Sequence, residues 1–287
     1  MQKFQKPRQA AAVQDLSGFG RCSLTVALPI LSAMGVQLSC LPTAVLSTHT
    51  GGFTGYTFRD LTEDMEPFFR HWQKENFRFD ALYTGYLGSL AQLDIVQRFF
   101  DAFQTKESLT LVDPVMGDHG VLYSRFDDRM VQGIRALCAR ADVIVPNLTE
   151  AAFLTGTPYR PEMQNEREME AVCEKLLALG PKKVVLTGVR PQDGHLGAAC
   201  HDGKKLHVYA PPHVPKQYDG TGDVFASVLL GGMLGGCSLE KSMEMAADFT
   251  RICVECSLMN GTDMHHGVDF EMCLPRLMEM QKGQENS

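Results

Sequence analysis

The chain has 287 residues, and its 27 Lys and Arg against 34 Asp and Glu give a formal net charge of −7. This acidic balance lacks the basic excess that displaces counterions from phosphate backbones, so we exclude electrostatic binding to nucleic acid. With 44% hydrophobic and 21% charged residues, the composition is typical of a globular protein rather than a disordered chain. We predict a single domain over residues 1–287, because no linker or low-complexity tract divides the sequence.

The sequence also lacks the features of a membrane or secreted protein. Its longest weakly polar stretch, Val224 to Cys237, is shorter than the roughly 18 to 20 residues that cross a bilayer. The apolar run after the first basic residues stops at Gln14 and Asp15, which is too short for a secretory signal. We therefore expect a cytoplasmic protein with no membrane partner, whose nine cysteines are reduced thiols.

The hydrophobic pattern alternates between strands and helices along most of the chain. The predicted strands are 10–14, 36–47, 80–83, 109–112, 143–145, 183–187, 196–200 and 206–209. The predicted helices are 22–34, one beginning near 61, 91–103, 127–139, one opening at 146–150, 166–179, 223–234, 239–259 and 270–281. This order predicts an α/β fold, a three-layer α/β/α sandwich with a mainly parallel sheet. Asp202-Gly203 is a hairpin signal, so we expect antiparallel strands at one edge.

Polar segments follow several of the predicted strands, where ligands bind in open α/β sheets. The segments are 15–20, 48–55, 84–89, 113–118, 147–150 and 187–188. One of them contains Gly18-Phe19-Gly20-Arg21-Cys22-Ser23, which approaches the dinucleotide fingerprint but has Ser23 in place of the third glycine. The acidic residue that binds ribose is also missing from 34–49. We therefore reject a nicotinamide site, and the glycines either fit the turn or bind a substrate.

A second glycine motif, Gly220-Thr221-Gly222-Asp223, runs directly into a predicted helix. The glycines let backbone N–H groups converge, and the positive end of the helix dipole lies behind them, so the motif predicts an anion hole. In such a site Asp223 is placed to accept a proton from an attacking hydroxyl. The alternative is that Asp223 only caps the helix. The motif alone leaves both interpretations open.

Carboxylates are concentrated after the strand that ends at residue 112. Asp113 and Asp118 flank a turn, and Glu150 follows the next predicted strand. Oxygen ligands of this kind suit Mg²⁺, which keeps several waters and bridges to substrate phosphates. The alternative is that these are solvated turn acids. Two other features are predicted to be structural: the isolated Cys253-Cys256 pair, and a solvated turn at 265–266.

Taken together, these motifs resemble the ribokinase-like kinases, and within them the pyridoxal kinase group of vitamin B6 salvage. The resemblance covers roughly residues 10–260 and rests on five segments in the family's order: Ser47-Thr48-His49-Thr50, Thr84-Gly85-Tyr86-Leu87-Gly88-Ser89, Asp113-Pro114-Val115-Met116-Gly117-Asp118, Pro146-Asn147-Leu148-Thr149-Glu150 and Gly220-Thr221-Gly222-Asp223. It implies ATP-dependent phosphorylation of the 5′-hydroxymethyl group of pyridoxal, pyridoxamine or pyridoxine. It also implies ATP and Mg²⁺ as cofactors, a monovalent cation as a further candidate, and a homodimer.

The resemblance assigns roles to individual residues. Asp223 is the implied base, and the N–H groups of Gly220, Thr221 and Gly222 form the anion hole. Asp113, Asp118 and Glu150 organise Mg²⁺ and its waters. The residues implied on the ATP side are Asp113, Asn147, Glu150, Thr187, Gly188, Thr221 and Gly222. The residues implied around the vitamin ring are Asp15, Ser17, His49, Thr50, Tyr86 and Asp223, and Val121 and Tyr123 belong to an implied lid at 120–123.

Asp15 departs from the pattern of many pyridoxal kinases, which carry Ser at this position. Hydroxymethylpyrimidine kinases of thiamine synthesis have an acid in this loop, so they are the alternative acceptor class. A carboxylate here favours an amine, which predicts a preference for pyridoxamine over pyridoxal. A non-catalytic ligand-binding protein is a further alternative, although the intact Gly220-Thr221-Gly222-Asp223 motif argues against it.

Overall fold

A computed structural model describes residues 6–161, 163 and 165–285. The strands are β1 Arg8–Ser17, β2 Val36–Leu46, β3 Phe58–Asp60, β4 Ala81–Thr84, β5 Leu109–Val112, β6 Gly117–Asp118, β7 Val121–Leu122, β8 Val143–Ile144, β9 Lys183–Val189, β10 Gly197–His201 and β11 Leu206–Tyr209. The helices are α1 Leu24–Ala33, α2 Thr62–Lys74, α3 Leu90–Phe103, α4 Asp128–Cys138, α5 Leu148–Thr155, α6 Glu166–Leu177, α7 Thr221–Leu234, α8 Leu239–Asn260 and α9 Leu274–Glu285.

A nine-stranded sheet in the order β11-β10-β9-β8-β5-β4-β1-β2-β3 forms the middle layer. The pairs from β9 through β2 are parallel, whereas β3 pairs antiparallel with β2, and β10 pairs antiparallel with both β9 and β11. Asp202-Gly203 connects β10 and β11, and Gly203 has a φ of 90°, as a tight hairpin requires. The predicted parallel sheet with antiparallel edge strands is confirmed.

Buried side chains divide into two cores on opposite faces of the sheet. Along β1, Ala10 and Ala12 contact one core, and Ala11 and Val13 contact the other. This alternation is the period of two that a strand imposes on its side chains. Helices α1, α7, α8 and α9 cover the first face, and helices α2 through α6 cover the second. The predicted three-layer arrangement therefore follows from burial on both faces.

Most predicted elements lie within a few residues of the observed ones, and three differences concern short elements. The sequence analysis missed β3 and the two-stranded ribbon of β6 and β7. The last helix begins at Leu274 rather than Phe270, because Glu271–Cys273 forms a short 3₁₀ turn before it. Within the described residues, no helix combines the length and the apolar character that a bilayer span requires.

Candidate active site

The glycine motif before α7 forms an open cradle of backbone at the edge of the sheet. Gly220 is the N-cap of α7 with a φ of 77°, and a side-chain carbon there would collide with the carbonyl oxygen of Arg21. Gly222 is exposed, and a side-chain carbon there would meet no atom within 4 Å. No side chain caps the helix at Gly220. The start of α7 therefore has no side-chain cap and has room beside Gly222, which fits a phosphate group bound by the first N–H groups.

Asp223 lies in the first turn of α7 and does not cap it. Its Oδ2 accepts the backbone N–H of Ser23 at 2.9 Å, which comes from the start of α1. Burial raises the pKa of Asp223 to about 7, the Ser23 N–H lowers it in part, and the charge of Asp15 raises it further. The interpretation of Asp223 as an N-cap is therefore wrong. A half-buried carboxylate that titrates near neutral pH suits a general base.

Two buried carboxylates stand near the cradle without a basic partner. Burial and the charges of Glu150 and Asp223 raise the pKa of Asp113, and burial raises the pKa of Glu150. The two oxygens of Glu150 accept the backbone N–H groups of Asn147 at 2.8 Å and Met116 at 3.2 Å. A bound cation would relieve the repulsion between these buried carboxylates. Asp113 and Glu150 are therefore suited to a metal ion.

Asp118 is the third predicted carboxylate, and its charge contributes to the raised pKa of Glu150. It is exposed, and its Oδ1 accepts the backbone N–H of His119 at 2.8 Å. Among the residues that the structure describes, no three His, Cys, Asp or Glu side chains converge on one metal position. The predicted set of Asp113, Asp118 and Glu150 is therefore not brought together as direct ligands. What the geometry fits is an ion held through waters and substrate phosphates, which is usual for Mg²⁺.

Asn147 braces the ends of neighbouring strands. Its Oδ1 accepts the Glu150 N–H at 2.9 Å, which completes a reciprocal capping box at the start of α5. Its Nδ2 donates to the carbonyl of Gly117 at 3.0 Å. Asn147 also forms a parallel bridge with Thr187, which is followed by Gly188 at a φ of 84°. The predicted nucleotide residues thus share one edge, although both polar atoms of the Asn147 side chain already have protein partners.

On the acceptor side, Asp15 and Ser17 lie buried at the end of β1. The Asp15 carboxylate accepts the hydroxyl of Ser17 at 3.1 Å and the hydroxyl of Ser23 at 2.6 Å. Burial raises the pKa of Tyr86, and the charge of Asp15 raises it further. The Tyr86 ring stacks on Phe126 with centroids 5.8 Å apart. The charge of Asp15 acts on the pKa values of both Tyr86 and Asp223, so these three side chains are near enough to interact electrostatically.

His49 is buried and anchors its loop through both ring nitrogens. Nδ1 accepts the Gly51 N–H at 3.1 Å, so the ring proton is assigned to Nε2, which donates to the carbonyl of His265 at 2.6 Å. The ring meets Phe53 edge-on, with centroids 5.1 Å apart. Thr50 is exposed beside it. Both ring nitrogens of His49 therefore bond to the protein itself, and the predicted substrate contact of His49 and Thr50 stays a prediction.

Sequence reasoning missed the turn at 263–267, which holds these loops together. Asp219 Oδ2 pairs with Nδ1 of His265 at 3.0 Å, and the Asp219 N–H donates to the carbonyl of Met264 at 3.0 Å. The Arg21 N–H donates to the carbonyl of His266 at 3.1 Å. The predicted solvated turn is confirmed only at His266, because His265 is half-buried in this network. The turn itself is closed locally, since Asp263 Oδ1 accepts the His265 N–H at 2.8 Å, but the loops that it fastens come from distant parts of the chain.

The implied lid at 120–123 belongs to the ribbon of β6 and β7. Val121 is 66% exposed, and the Tyr123 backbone N–H donates to the carbonyl of Met116 at 2.9 Å. Burial raises the pKa of the Tyr123 hydroxyl, as do the charges of Glu150 and Asp118. The ribbon therefore carries one apolar side chain in solvent and one phenol beside the carboxylates.

Comparison with known proteins gives a consistent family. Residues 31–269 match the phosphomethylpyrimidine kinase family. The chain is 32% identical to the pyridoxal kinase of Lactobacillus plantarum, with a TM-score of 0.88 over 96% of this chain and 98% of that one. A Bacteroides thetaiotaomicron protein crystallised with pyridoxal is 39% identical, with a TM-score of 0.88 over 95% of this chain and 96% of that one.

A curated relative, the pyridoxine/pyridoxal/pyridoxamine kinase of Bordetella avium, is 28% identical over 86% of this chain and 84% of its own length. Another, the hydroxymethylpyrimidine/phosphomethylpyrimidine kinase of Bacillus subtilis, is 30% identical over 67% of this chain and 69% of its own length. These matches confirm the resemblance drawn from the five sequence segments. The chain therefore belongs to the ribokinase-like family of phosphomethylpyrimidine and pyridoxal kinases.

Proposed function

We propose that this kinase transfers the γ-phosphoryl group of ATP to the 5′-hydroxymethyl group of vitamin B6, that is, of pyridoxal, pyridoxamine or pyridoxine. The observation that carries the proposal is Asp223, a carboxylate with a pKa raised to about 7 beside the open glycine cradle. The B6 kinases of Bordetella avium and Lactobacillus plantarum support this choice of acceptor. So does the relative from Bacteroides thetaiotaomicron that was crystallised with pyridoxal.

In this proposal Asp223 accepts the proton of the acceptor hydroxyl as that oxygen attacks the γ-phosphorus. The new bond joins the hydroxymethyl oxygen to phosphorus, and the bond from phosphorus to the β,γ-bridging oxygen breaks. ADP leaves with the electron pair, and Asp223 then releases its proton to water. The N–H groups of Gly220, Thr221 and Gly222 donate to the oxygens of the transferring group. A base with a pKa near 7 is about half ionised at neutral pH, so a large fraction of the enzyme carries the free base, and that base accepts a proton readily.

We place ATP and its metal ion at the ends of the neighbouring strands. Asp113 and Glu150 would hold Mg²⁺ through its water shell, and the ion would supply positive charge to the phosphates. Asp118 would join that shell from the exposed end of β6. Thr187 and Gly188 would border the nucleotide, since β9 ends beside the bridge to Asn147.

On the acceptor side, Asp15, Ser17 and Tyr86 would enclose the vitamin ring. His49 and Thr50 would close it from the neighbouring loop, with His49 acting as the anchor of that loop. Asp15 is buried and accepts the hydroxyl groups of Ser17 and Ser23, and it forms no ion pair with any residue that the structure describes. This supports the proposed preference for the amine of pyridoxamine over the aldehyde of pyridoxal.

A second acceptor class is hydroxymethylpyrimidine, and Asp15 is the residue that favours it. ATP consumption with pyridoxal, pyridoxamine, pyridoxine and hydroxymethylpyrimidine, each with and without Mg²⁺, tests both classes. We expect kcat/KM to be highest for a B6 vitamer and activity to require Mg²⁺. A higher kcat/KM for hydroxymethylpyrimidine would overturn the proposed acceptor. Absence of turnover with all four would favour a non-catalytic binding protein.

We also propose a homodimer, a cytoplasmic location and a monovalent cation, and each of these has its own test. Sedimentation velocity would test the homodimer, and cell fractionation would test the cytoplasmic location. Activity in potassium against sodium salts would test the monovalent cation.

A further inference from the structure

Ser23 adopts a backbone conformation that normally belongs to glycine. Its φ is 50° and its ψ is −127°, and among the described residues only Asn76 and His119 share a positive φ without being glycine. Residues held in such conformations persist where the surrounding structure fixes them, and they are concentrated at functional sites. Ser23 is also the residue that occupies the third glycine position of the near-fingerprint at 18–23.

The contacts of Ser23 show what fixes this conformation. The residue is the N-cap of α1, yet its hydroxyl does not cap the helix in the usual way. The hydroxyl donates instead to Asp15 Oδ1 at 2.6 Å. Its carbonyl accepts the N–H groups of Val26 at 3.0 Å and Ala27 at 2.9 Å, which ties it to the helix. A residue of β1 thus fixes the side chain of Ser23, and the first turn of α1 fixes its carbonyl.

With both of these groups fixed, the N–H of Ser23 is directed at Asp223. It donates to Oδ2 at 2.9 Å, and this is the hydrogen bond that opposes the rise in the pKa of the carboxylate. A positive φ rotates the N–H away from the direction that an ordinary residue would give it. The hydrogen bond from the Ser23 hydroxyl to Asp15 therefore helps to hold the strained backbone of Ser23. That backbone conformation in turn directs the Ser23 N–H at Asp223.

We infer that Ser23 is a positioning residue that orients the Asp223 carboxylate through its backbone N–H, with Asp15 holding the serine in the strained conformation that this requires. The inference rests on the proposed role of Asp223 as the base. Asp15 then has a second role besides its proposed contact with the vitamin ring. Through Ser23 it fixes the position of the Asp223 carboxylate.

Two substitutions separate the parts of this arrangement. Ser23→Ala removes the hydroxyl but keeps a side-chain carbon. The positive φ is then still strained, and the hydrogen bond to Asp15 that stabilises it is lost. Ser23→Gly also removes the hydroxyl, but glycine adopts the same φ freely and keeps its N–H on Asp223. We expect kcat of Ser23→Ala to fall about tenfold, the effect of one hydrogen bond to a charged group. KM for ATP should change by less than about twofold, because the nucleotide residues are not touched.

Ser23→Gly is expected to restore kcat to within about threefold of the parent, because the N–H contact survives without strain. The rates are expressed per folded site, with thermal unfolding of each variant measured alongside. A hydroxyl that acted only through folding would lower the fraction of folded enzyme and leave kcat per site unchanged.

The inference is overturned if Ser23→Ala keeps the parent kcat, or if Ser23→Gly loses as much as Ser23→Ala. All variants are assayed with whichever acceptor gives the parent its highest kcat/KM. A parent that prefers hydroxymethylpyrimidine would therefore refute the B6 proposal and still rank the two Ser23 variants.

Discussion

Replacing Asp223 by Asn separates its proposed chemistry from its place in the structure. The amide has the same shape as the carboxylate, and its oxygen can still accept the Ser23 N–H that now lies at 2.9 Å. What it loses is the ability to take a proton from the acceptor hydroxyl. General-base groups typically contribute about 10²- to 10⁴-fold, so we expect kcat to fall by that factor with KM for ATP little changed.

The same substitution is expected to increase stability. Burial raises the pKa of Asp223 from 3.8 to about 7, so the folded protein binds its proton more tightly than the unfolded chain does. The ionisation of Asp223 therefore lowers the free energy of unfolding as the pH rises from 3.8, and above a pH of about 7 this loss is constant. At 1.36 kcal/mol per pKa unit the loss reaches about 4 kcal/mol at most. Asp223→Asn should recover part of it, more at about pH 8.5 than at about pH 5.5.

Steady-state kinetics and urea unfolding at both pH values measure the two effects on the same samples. Asp248→Asn is a matched control, because Asp248 accepts the Tyr209 hydroxyl at 3.0 Å on α8, away from the cradle. This control should leave kcat near that of the parent. Activity of Asp223→Asn within a few-fold of the parent would refute the assignment of the base. A change in the stability of Asp223→Asn that is equal at both pH values would refute the role of the buried charge.

Three further predictions concern the metal, the acceptor and the cradle. Asp113→Asn and Asp118→Asn should each raise the Mg²⁺ concentration for half-maximal activity, and titration curves that match the parent would contradict this. The ratio of kcat/KM for pyridoxamine over pyridoxal should be about ten or more, and Asp15→Ser should lower it by weakening pyridoxamine, so an unchanged ratio would place Asp15 away from the ring. Gly222→Ala should fold normally and lose kcat/KM, whereas Gly220→Ala should unfold more easily by about 1 kcal/mol or more, as circular dichroism melts and the ATP assay would show.

Elements with four or more residues could be predicted from the sequence because their own side chains determine them. The predicted strands 109–112 and 206–209 coincide with β5 and β11, whose residues are all buried or half-buried. The ribbon of β6 and β7 could not be predicted, since each strand has only two residues and no hydrophobic pattern. Pairing of that kind depends on the turn and on neighbouring groups, such as the contact of the Gly120 N–H with Thr149 at 2.9 Å.

The candidate site divides in the same way. Asp223 and its glycines could be found because a helix start with adjacent glycines is a local pattern. The partner that orients Asp223 could not be found, because Ser23 is separated from it by 200 positions in the chain. Asp118 illustrates the converse: its position in a motif suggested that it joins Asp113 and Glu150, but the backbone leaves it exposed on the ribbon.

The turn at 263–267 also determines when the site can first exist during synthesis. A chain that ends at residue 262 already contains all the strands, helices α1 through α8 and the cradle before α7. It lacks the carbonyls that receive His49 and Arg21, and it lacks the imidazole that pairs with Asp219. On the ribosome, the sheet can therefore be assembled well before the acceptor loops are fastened. The residues after 262 therefore supply both the contacts that fasten the acceptor loops and part of one core, through Val268, Phe270 and Leu277.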